Sequence, residues 1–213
     1  MKKKVILFDL DGTLIDSTEA ILESFYYALN MNNYEQNVSD QQIKDQIGYP
    51  LDRMFQTITQ IENVTKFVDS YKEHYAQIHT QKTILLPHAK EAVKLAYENA
   101  TLGVVTTKTT HYSKILLESF GILEYFSVII GRQEVQNPKP HPEPILKALQ
   151  ILQLEPNDKI FMIGDTKLDL IAAKSAGINS IAVTCGYGTK EELSQYSSVV
   201  VDDSLEAVKT ILL

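Results

Sequence analysis

Three stretches of this chain set polar side chains where an apolar run stops: VILF-DLDGT at residues 5–13, LGVV-TTK at 102–108 and KIFMI-GD at 159–165. They present Asp9 and Asp11, then Thr106, Thr107 and Lys108, then Asp165. Between the last two lies NPKPHPEP (137–144), where four prolines restrict the backbone around Lys139 and would aim its side chain. Ligands of open parallel sheets bind beyond the carboxyl ends of the strands. If these runs are neighbouring strands, two or three carboxylates, two hydroxyls and an ammonium converge, a set suited to a metal ion plus a phosphate. Carboxylates this close raise one another's pKa unless a cation intervenes. Mg2+ is held by a few carboxylates and keeps water or phosphate oxygens as its other ligands. With metal and lysine cancelling the charge repulsion, an aspartate can attack phosphorus and form an acyl-phosphate. A second carboxylic acid two residues on can protonate the leaving oxygen and then activate water. Hydroxyls and N–H groups at the strand ends can hold the transferring oxygens.

Each piece also has an ordinary explanation. Asp-Gly is a common turn, so Asp11-Gly12 alone says little. Thr166-x-x-Asp169 fits a capping box at a helix start, which stands level with a functional role for Asp169. Loop lysines are usually solvated, and Pro142 and Pro144 suit the opening of a helix. The five histidines lack metal-ligand spacing, and His74 and His79 are expected at solvated positions of a helix. Cys185 is expected as a small buried residue, Thr189-x-x-Glu192 as a helix cap, and Asp202 and Asp203 at the cap of the last helix. The ordered set, rather than any one member, points to chemistry.

The elements that must position these residues show in the patterning. VILF (5–8), LGVV (102–105), SVII (127–130), KIFMI (159–163), SIAV (180–183) and SVVV (198–201) alternate with amphipathic segments. That alternation predicts a doubly wound parallel sheet with helices on both faces, an α/β fold. Glycines in LLESFGI (116–122) and AAKSAGI (172–178) stand where helices would stop. From about residue 15 to 82 no strand pattern appears. Segments 17–31, 39–47, 51–60 and 64–79 read as helices instead, because so long a loop without structure is improbable. The expected division is a core domain of residues 1–14 and 83–213 and a small inserted helical cap domain of residues 15–82. Pro87 is placed in the first turn of the helix that follows.

Composition narrows the classes. The chain has 213 residues, 44% of them hydrophobic, enough to bury a full core. A formal net charge of −7 argues against a general nucleic-acid binder but not against a small anionic substrate. With one cysteine, Cys185, no internal disulfide forms and a reducing compartment is expected. The start, MKKKVILFDLD, has the basic opening of a signal peptide without its apolar stretch, and no run approaches the roughly 20 apolar residues of a membrane helix. A soluble cytoplasmic protein, with no membrane partner, is expected.

In this order the motifs closely resemble those of the haloacid dehalogenase superfamily of phosphohydrolases, over essentially the whole chain. DLDGT (9–13) resembles the first motif, implying Asp9 as nucleophile and Asp11 as general acid/base. Thr106 stands at the second motif, with Thr107 beside it in phosphate binding, and Lys139 in NPKP at the third. GDTKLD (164–169) resembles the fourth, implying Asp165 as a Mg2+ ligand, with Asp9 and the Asp11 carbonyl, and Asp169 as its acidic partner. Dehalogenases of the superfamily lack the second aspartate and phosphonatases carry a small residue there, so Asp11 favours phosphate-ester or anhydride chemistry. The helical insert resembles the family's small α-helical cap. Within it Gly48-Tyr49-Pro50-Leu51 resembles the substrate-loop region, and Arg53 is either a ligand for a second anionic group or a solvated arginine. VVTTK, VQNPKPHPEP and the Cys-Gly-Tyr-Gly stretch are most similar to phosphoglycolate phosphatases. Those enzymes usually have asparagine at the position of Thr107, whereas Thr-Thr-Lys is similar to bacterial inorganic pyrophosphatases of the superfamily.

The resemblance therefore implies a Mg2+-dependent phosphatase acting on small soluble phosphates, as a monomer or homodimer. Phosphoglycolate is the first substrate, ahead of pyrophosphate and sugar phosphates. A phosphomutase would have to keep water off the acyl-phosphate. A response-regulator receiver module is the competing class, but receivers take the acceptor aspartate from a later strand and have no cap insertion. Neither a Walker A loop nor G-x-G-x-x-G appears, which sets a nucleotide-binding module aside.

Overall fold

Six of the apolar runs become strands of one parallel sheet. The computed structural model describes residues 4–157 and 159–213, so the basic opening at residues 1–3 lies outside the described residues. Strand β1 (Lys4–Phe8) leads through a tight turn to the two-residue β2 (Ile15–Asp16). Four helices follow: α1 (Thr18–Met31), α2 (Asp40–Lys44), α3 (Leu51–Thr59) and α4 (Thr65–Ile78). After β3 (Ile84–Leu85), the chain alternates α5 (Ala89–Asn99), β4 (Ala100–Val105), α6 (Thr110–Ser119), β5 (Phe126–Ile130), α7 (Glu143–Ile151), β6 (Ile160–Gly164), α8 (Lys167–Ala176) and β7 (Asn179–Val183). It ends with α9 (Lys190–Leu193), β8 (Val200–Val201) and α10 (Ser204–Leu212).

The chain divides into two compact units, Met1–Asp16 with Leu85–Leu213, and Ser17–Ile84. The crossings fall two residues beyond the boundaries expected from the sequence. β2 and β3, which pair in a sheet of two strands, are too short to show a period and so do not reveal themselves in the pattern.

In the first unit the strand order is β5-β4-β1-β6-β7-β8, and the pairs are parallel. The chain winds outward from β1 through β4 to β5, then returns to β1's other side with β6, so the strand order reverses at β1. Alternation along β1 sends Ile6 and Phe8 to the face shared with Val93, Leu116 and Val208, and Val5 and Leu7 to the face shared with Ile145, Leu149 and Ala173. Both faces are thus buried, which explains why the strands read as continuous apolar runs.

α5 starts later than Pro87 suggests. His88 adopts a left-handed conformation (φ 61°) that interrupts the helical path, and Pro87 falls in the turn before it. His88 Nδ1 lies 2.8 Å from Asp203 Oδ2, fixing that turn. α7, by contrast, opens at Pro142 with Pro144 inside its first turn, as the sequence suggests. Asp203 caps α10, and Thr189 caps α9.

The helical unit has an aromatic centre. Phe25 of α1 stacks on Phe55 of α3 at 3.9 Å between ring centroids, with Tyr71 of α4 edge-on to both. His74 and His79 are packed rather than solvated. Tyr71, Tyr75 and His79 recur one turn apart and stack at 5.4 Å each, so the helical repeat that places tyrosines inside carries His79 with them. His79 is buried and bonds the Tyr75 carbonyl through Nδ1, and His74 stacks on Tyr27 at 4.4 Å. Among the described residues no helix is long and apolar enough to cross a membrane.

Candidate active site

The register of the sheet gathers the strand-end residues. Phe8 pairs with Val104 on one side and Ile163 on the other, so Asp9, Thr106 and Asp165 emerge from three adjacent strands at the same edge. The Asp9 N–H still donates to the Ile163 carbonyl (2.9 Å) and that of Thr106 to the Ile130 carbonyl (2.9 Å), which extends strand geometry to these residues. Beyond Asp9 the chain turns back sharply, with the N–H groups of Thr13 and Leu14 donating to the Leu10 carbonyl at 3.2 and 2.9 Å. Gly12 makes this turn at φ 80°, and a Cβ there would meet the Asp165 carboxylate.

Asp165 is fully buried and held from two sides: Thr13 Oγ1 donates to Oδ1 at 3.0 Å and the Tyr187 N–H donates to Oδ2 at 2.8 Å. Gly186 lets the second loop pass this close, since a Cβ would collide with both the Asp165 carboxylate and the Gly12 carbonyl oxygen. Asp169, one turn into α8, satisfies its capping box through Oδ2, which accepts from the Thr166 hydroxyl (2.7 Å) and N–H (3.2 Å). Its Oδ1 accepts from Lys139 Nζ. The structural and the site placement of Asp169 are therefore one arrangement.

Lys139 is buried with Nζ 2.8 Å from Asp9 Oδ1 as well as against Asp169. Its turn is tied to α7 by Glu143, whose carboxylate accepts from the N–H groups of Gln136 (2.8 Å) and Asn137 (2.9 Å). Those two bonds hold the Glu143 carboxyl below its ordinary range. Cys185 is half-buried, with its thiol 3.5 Å from the Gly12 carbonyl and pushed up to about 12 by burial, so it is no nucleophile at neutral pH.

The electrostatics follow from burial. Burial drives the Asp9 carboxyl up to about 7, against the pull of Lys139 and with the push of Asp169. Asp165 is raised well above the carboxylate range by burial, then by Asp9 and Asp169. Burial alone would lower the Lys139 ammonium, but Asp169 and Asp9 outweigh it and hold its pKa above the usual lysine value. Oxygens of Asp9, Asp165 and Asp169 lie within 4.8 Å of one another. With all three ionised, three carboxylates against one ammonium would leave two negative charges to be balanced, which, beyond burial, is why the carboxyls are raised in the absence of a cation. Lys139 Nζ is the partner that Asp9 Oδ1 has at 2.8 Å. Three clustered carboxylates as oxygen ligands and this charge deficit fit a hard divalent cation such as Mg2+.

Thr106 is buried, and its Oγ1 accepts from the Lys108 N–H at 3.2 Å. Lys108 Nζ in turn lies 3.1 Å from Asp11 Oδ2. Thr107, between them, is half-buried. Gly48 and Arg53 belong to the helical unit, where Gly48 (φ 102°) precedes α3 and the Arg53 guanidinium stacks 4.3 Å from the centre of the Tyr49 ring. Sequence reasoning overlooked the bond from Thr13, the close approach of Gly186 and the pairing of Lys108 with Asp11. Only the threonine of DLDGT and the lysine of TTK hinted at two of them.

Residues 6–183 match the haloacid dehalogenase-like hydrolase family. The chain belongs to that family, and it is a phosphatase of it. A pyrophosphatase PpaX from Oceanobacillus iheyensis is 31% identical over 100% of this chain and 98% of its own length. A phosphoglycolate phosphatase from Salmonella typhimurium is 32% identical over 93% of this chain and 88% of its own. A haloacid dehalogenase-like hydrolase structure from Streptococcus pneumoniae superposes with a TM-score of 0.86 at 28% identity, covering 98% of each chain. Membership of a hydrolase family sets the receiver-module alternative aside.

Proposed function

We propose that the chain is a Mg2+-dependent phosphatase working through an aspartyl-phosphate on Asp9, with phosphoglycolate its first substrate and pyrophosphate its second. The observation that carries this reading is the buried Asp9–Lys139–Asp169 arrangement beside Asp165 at the switch point of the sheet. The names of the two relatives support one substrate each.

Asp9 and Asp165, with the main-chain carbonyl of Asp11, would hold Mg2+. The chemistry a bound Mg2+ supplies is neutralisation of the carboxylates and polarisation of a phosphoryl oxygen. A carboxylate oxygen of Asp9 attacks phosphorus, and the bond from phosphorus to the leaving oxygen breaks. The Asp11 carboxyl gives its proton to that oxygen. The Asp11 carboxylate then takes a proton from a water whose oxygen attacks the same phosphorus, releasing phosphate and restoring Asp9. Lys139 and the hydroxyls of Thr106 and Thr107 bind the phosphoryl oxygens. Asp169 acts through Lys139, keeping it charged and aimed at Asp9.

The test is phosphate release from phosphoglycolate, pyrophosphate, several sugar phosphates and p-nitrophenyl phosphate, with Mg2+ and with chelator. Wild type should favour one of the first two and lose activity in chelator. Asp9→Asn should lower turnover by more than about a thousandfold with an unchanged circular dichroism spectrum. An Asp9→Asn protein as active as wild type would sink the mechanism.

A further inference from the structure

The two ammonium groups at the strand ends are placed differently. Lys139 is enclosed between Asp9 and Asp169, on the nucleophile's side. Lys108 sits beside the other aspartate, with its side chain 9% and that of Asp11 12% exposed. Its backbone is pinned from both ends, the N–H donating to Thr106 Oγ1 and the carbonyl accepting from the Arg132 N–H at 3.0 Å. The lysine is therefore presented from a fixed loop rather than from a mobile surface.

In the reaction proposed above, Asp11 passes a proton to the leaving oxygen, which must come within about 3 Å of its carboxyl. Lys108 Nζ lies 3.1 Å from Asp11 Oδ2, so when that oxygen passes the proton the ammonium stands within about 6 Å of the leaving oxygen. A negative group attached to that oxygen, or a few bonds beyond it, comes within reach of the ammonium. With so little solvent around it, the ammonium is weakly screened. We propose that Lys108 is a specificity-determining residue that selects substrates whose leaving group carries its own negative charge close to the scissile oxygen. The second phosphate of pyrophosphate and the carboxylate of phosphoglycolate both satisfy this; the sugar of a sugar phosphate does not. The inference rests on the role given to Asp11, and it accounts for two chemically different substrates sharing one site.

Lys108→Met and Lys108→Gln remove the charge and keep most of the reach; Lys108→Arg keeps the charge. For either neutral variant, the ratio of kcat/KM for pyrophosphate or phosphoglycolate to that for p-nitrophenyl phosphate should fall about tenfold or more, mainly through KM. Lys108→Arg should retain most of the wild-type ratio. Equal losses on every substrate would mean that the lysine only orients Asp11 and would overturn the proposal. Binding supplies a readout independent of turnover. With Mg2+ present, affinity for methylenediphosphonate, a pyrophosphate analogue that resists hydrolysis, should fall relative to that for inorganic phosphate by a similar factor. An unchanged ratio of these affinities would also overturn it. Asp9→Asn run alongside separates the two readings: turnover by that variant removes the aspartyl-phosphate mechanism, while the methylenediphosphonate comparison still decides the role of Lys108.

Discussion

Lys139 shows how tightly stability and chemistry are joined at one side chain. A buried ammonium between two buried carboxylates has little net value compared with apolar packing, but removing one partner leaves charge without compensation. Lys139→Met should therefore destabilise the metal-free core unit by about 3–5 kcal/mol, measured by denaturant unfolding in chelator. The methylene stem is matched in length, so lost packing contributes little. If Lys139→Met unfolds at the wild-type midpoint at about pH 8, above the raised Asp9 value, the ammonium does not compensate these carboxylates and the charged arrangement is wrong. In the proposed mechanism the same substitution should also abolish turnover, because Lys139 is there the ammonium that binds the phosphoryl oxygens.

Among the elements, the clearest coupling joins α5 and α10, which pack against each other. Asp203 Oδ1 accepts from the Glu206 N–H at 2.9 Å to cap α10, while Oδ2 pairs with His88 at the start of α5. Burial pushes the Asp203 carboxyl up, but the bonds from Glu206 and His88 outweigh it and leave it lowered. A lowered folded-state pKa means that the contribution exists above the unfolded value of about 3.9 and disappears as pH falls through the folded value. Asp203→Ala should cost about 1 kcal/mol at neutral pH. The gap from wild type in thermal unfolding should close as the pH is taken below about 4. A gap of constant size across that range would contradict the capping role.

Elements of this kind were largely legible. Apolar runs and period-3.6 patterning are local, so the strands of the main sheet, the helical insert and the Thr189 and Asp203 caps could be read from neighbouring residues. The start of α5 could not, because a left-handed His88 depends on an aspartate 115 positions away. His79 was misread for a related reason: an isolated histidine looks solvated until the tyrosines one and two turns before it are seen to face inward. At the site, each strand-end residue was visible because apolar runs stop there. The bond from Thr13 to Asp165 spans 152 positions, and nothing in the spacing announces it. The same holds for Gly186, whose lack of a side chain matters only where two loops meet over one carboxylate.

At the scale of the whole molecule, the acidic centre makes the first unit depend on its ionic surroundings. Asp9 is raised to about 7 and Asp165 is raised in the same direction, both chiefly by burial. For a carboxyl raised on folding, the contribution to stability is present below the unfolded pKa and is lost as pH rises through the folded one. Without metal, the protein should therefore lose stability between about pH 4 and about pH 7. Mg2+ should offset that loss, because it binds the ionised carboxylates and protons compete with it. A hundredfold excess over Kd is worth about 2.7 kcal/mol, and the gain in thermal midpoint should be larger at about pH 8 than at about pH 6. Calorimetric scans with Mg2+ and with chelator test this, and Asp165→Asn should abolish most of the gain. If Mg2+ leaves the midpoint unchanged at both pH values, Asp9 and Asp165 do not form a metal site.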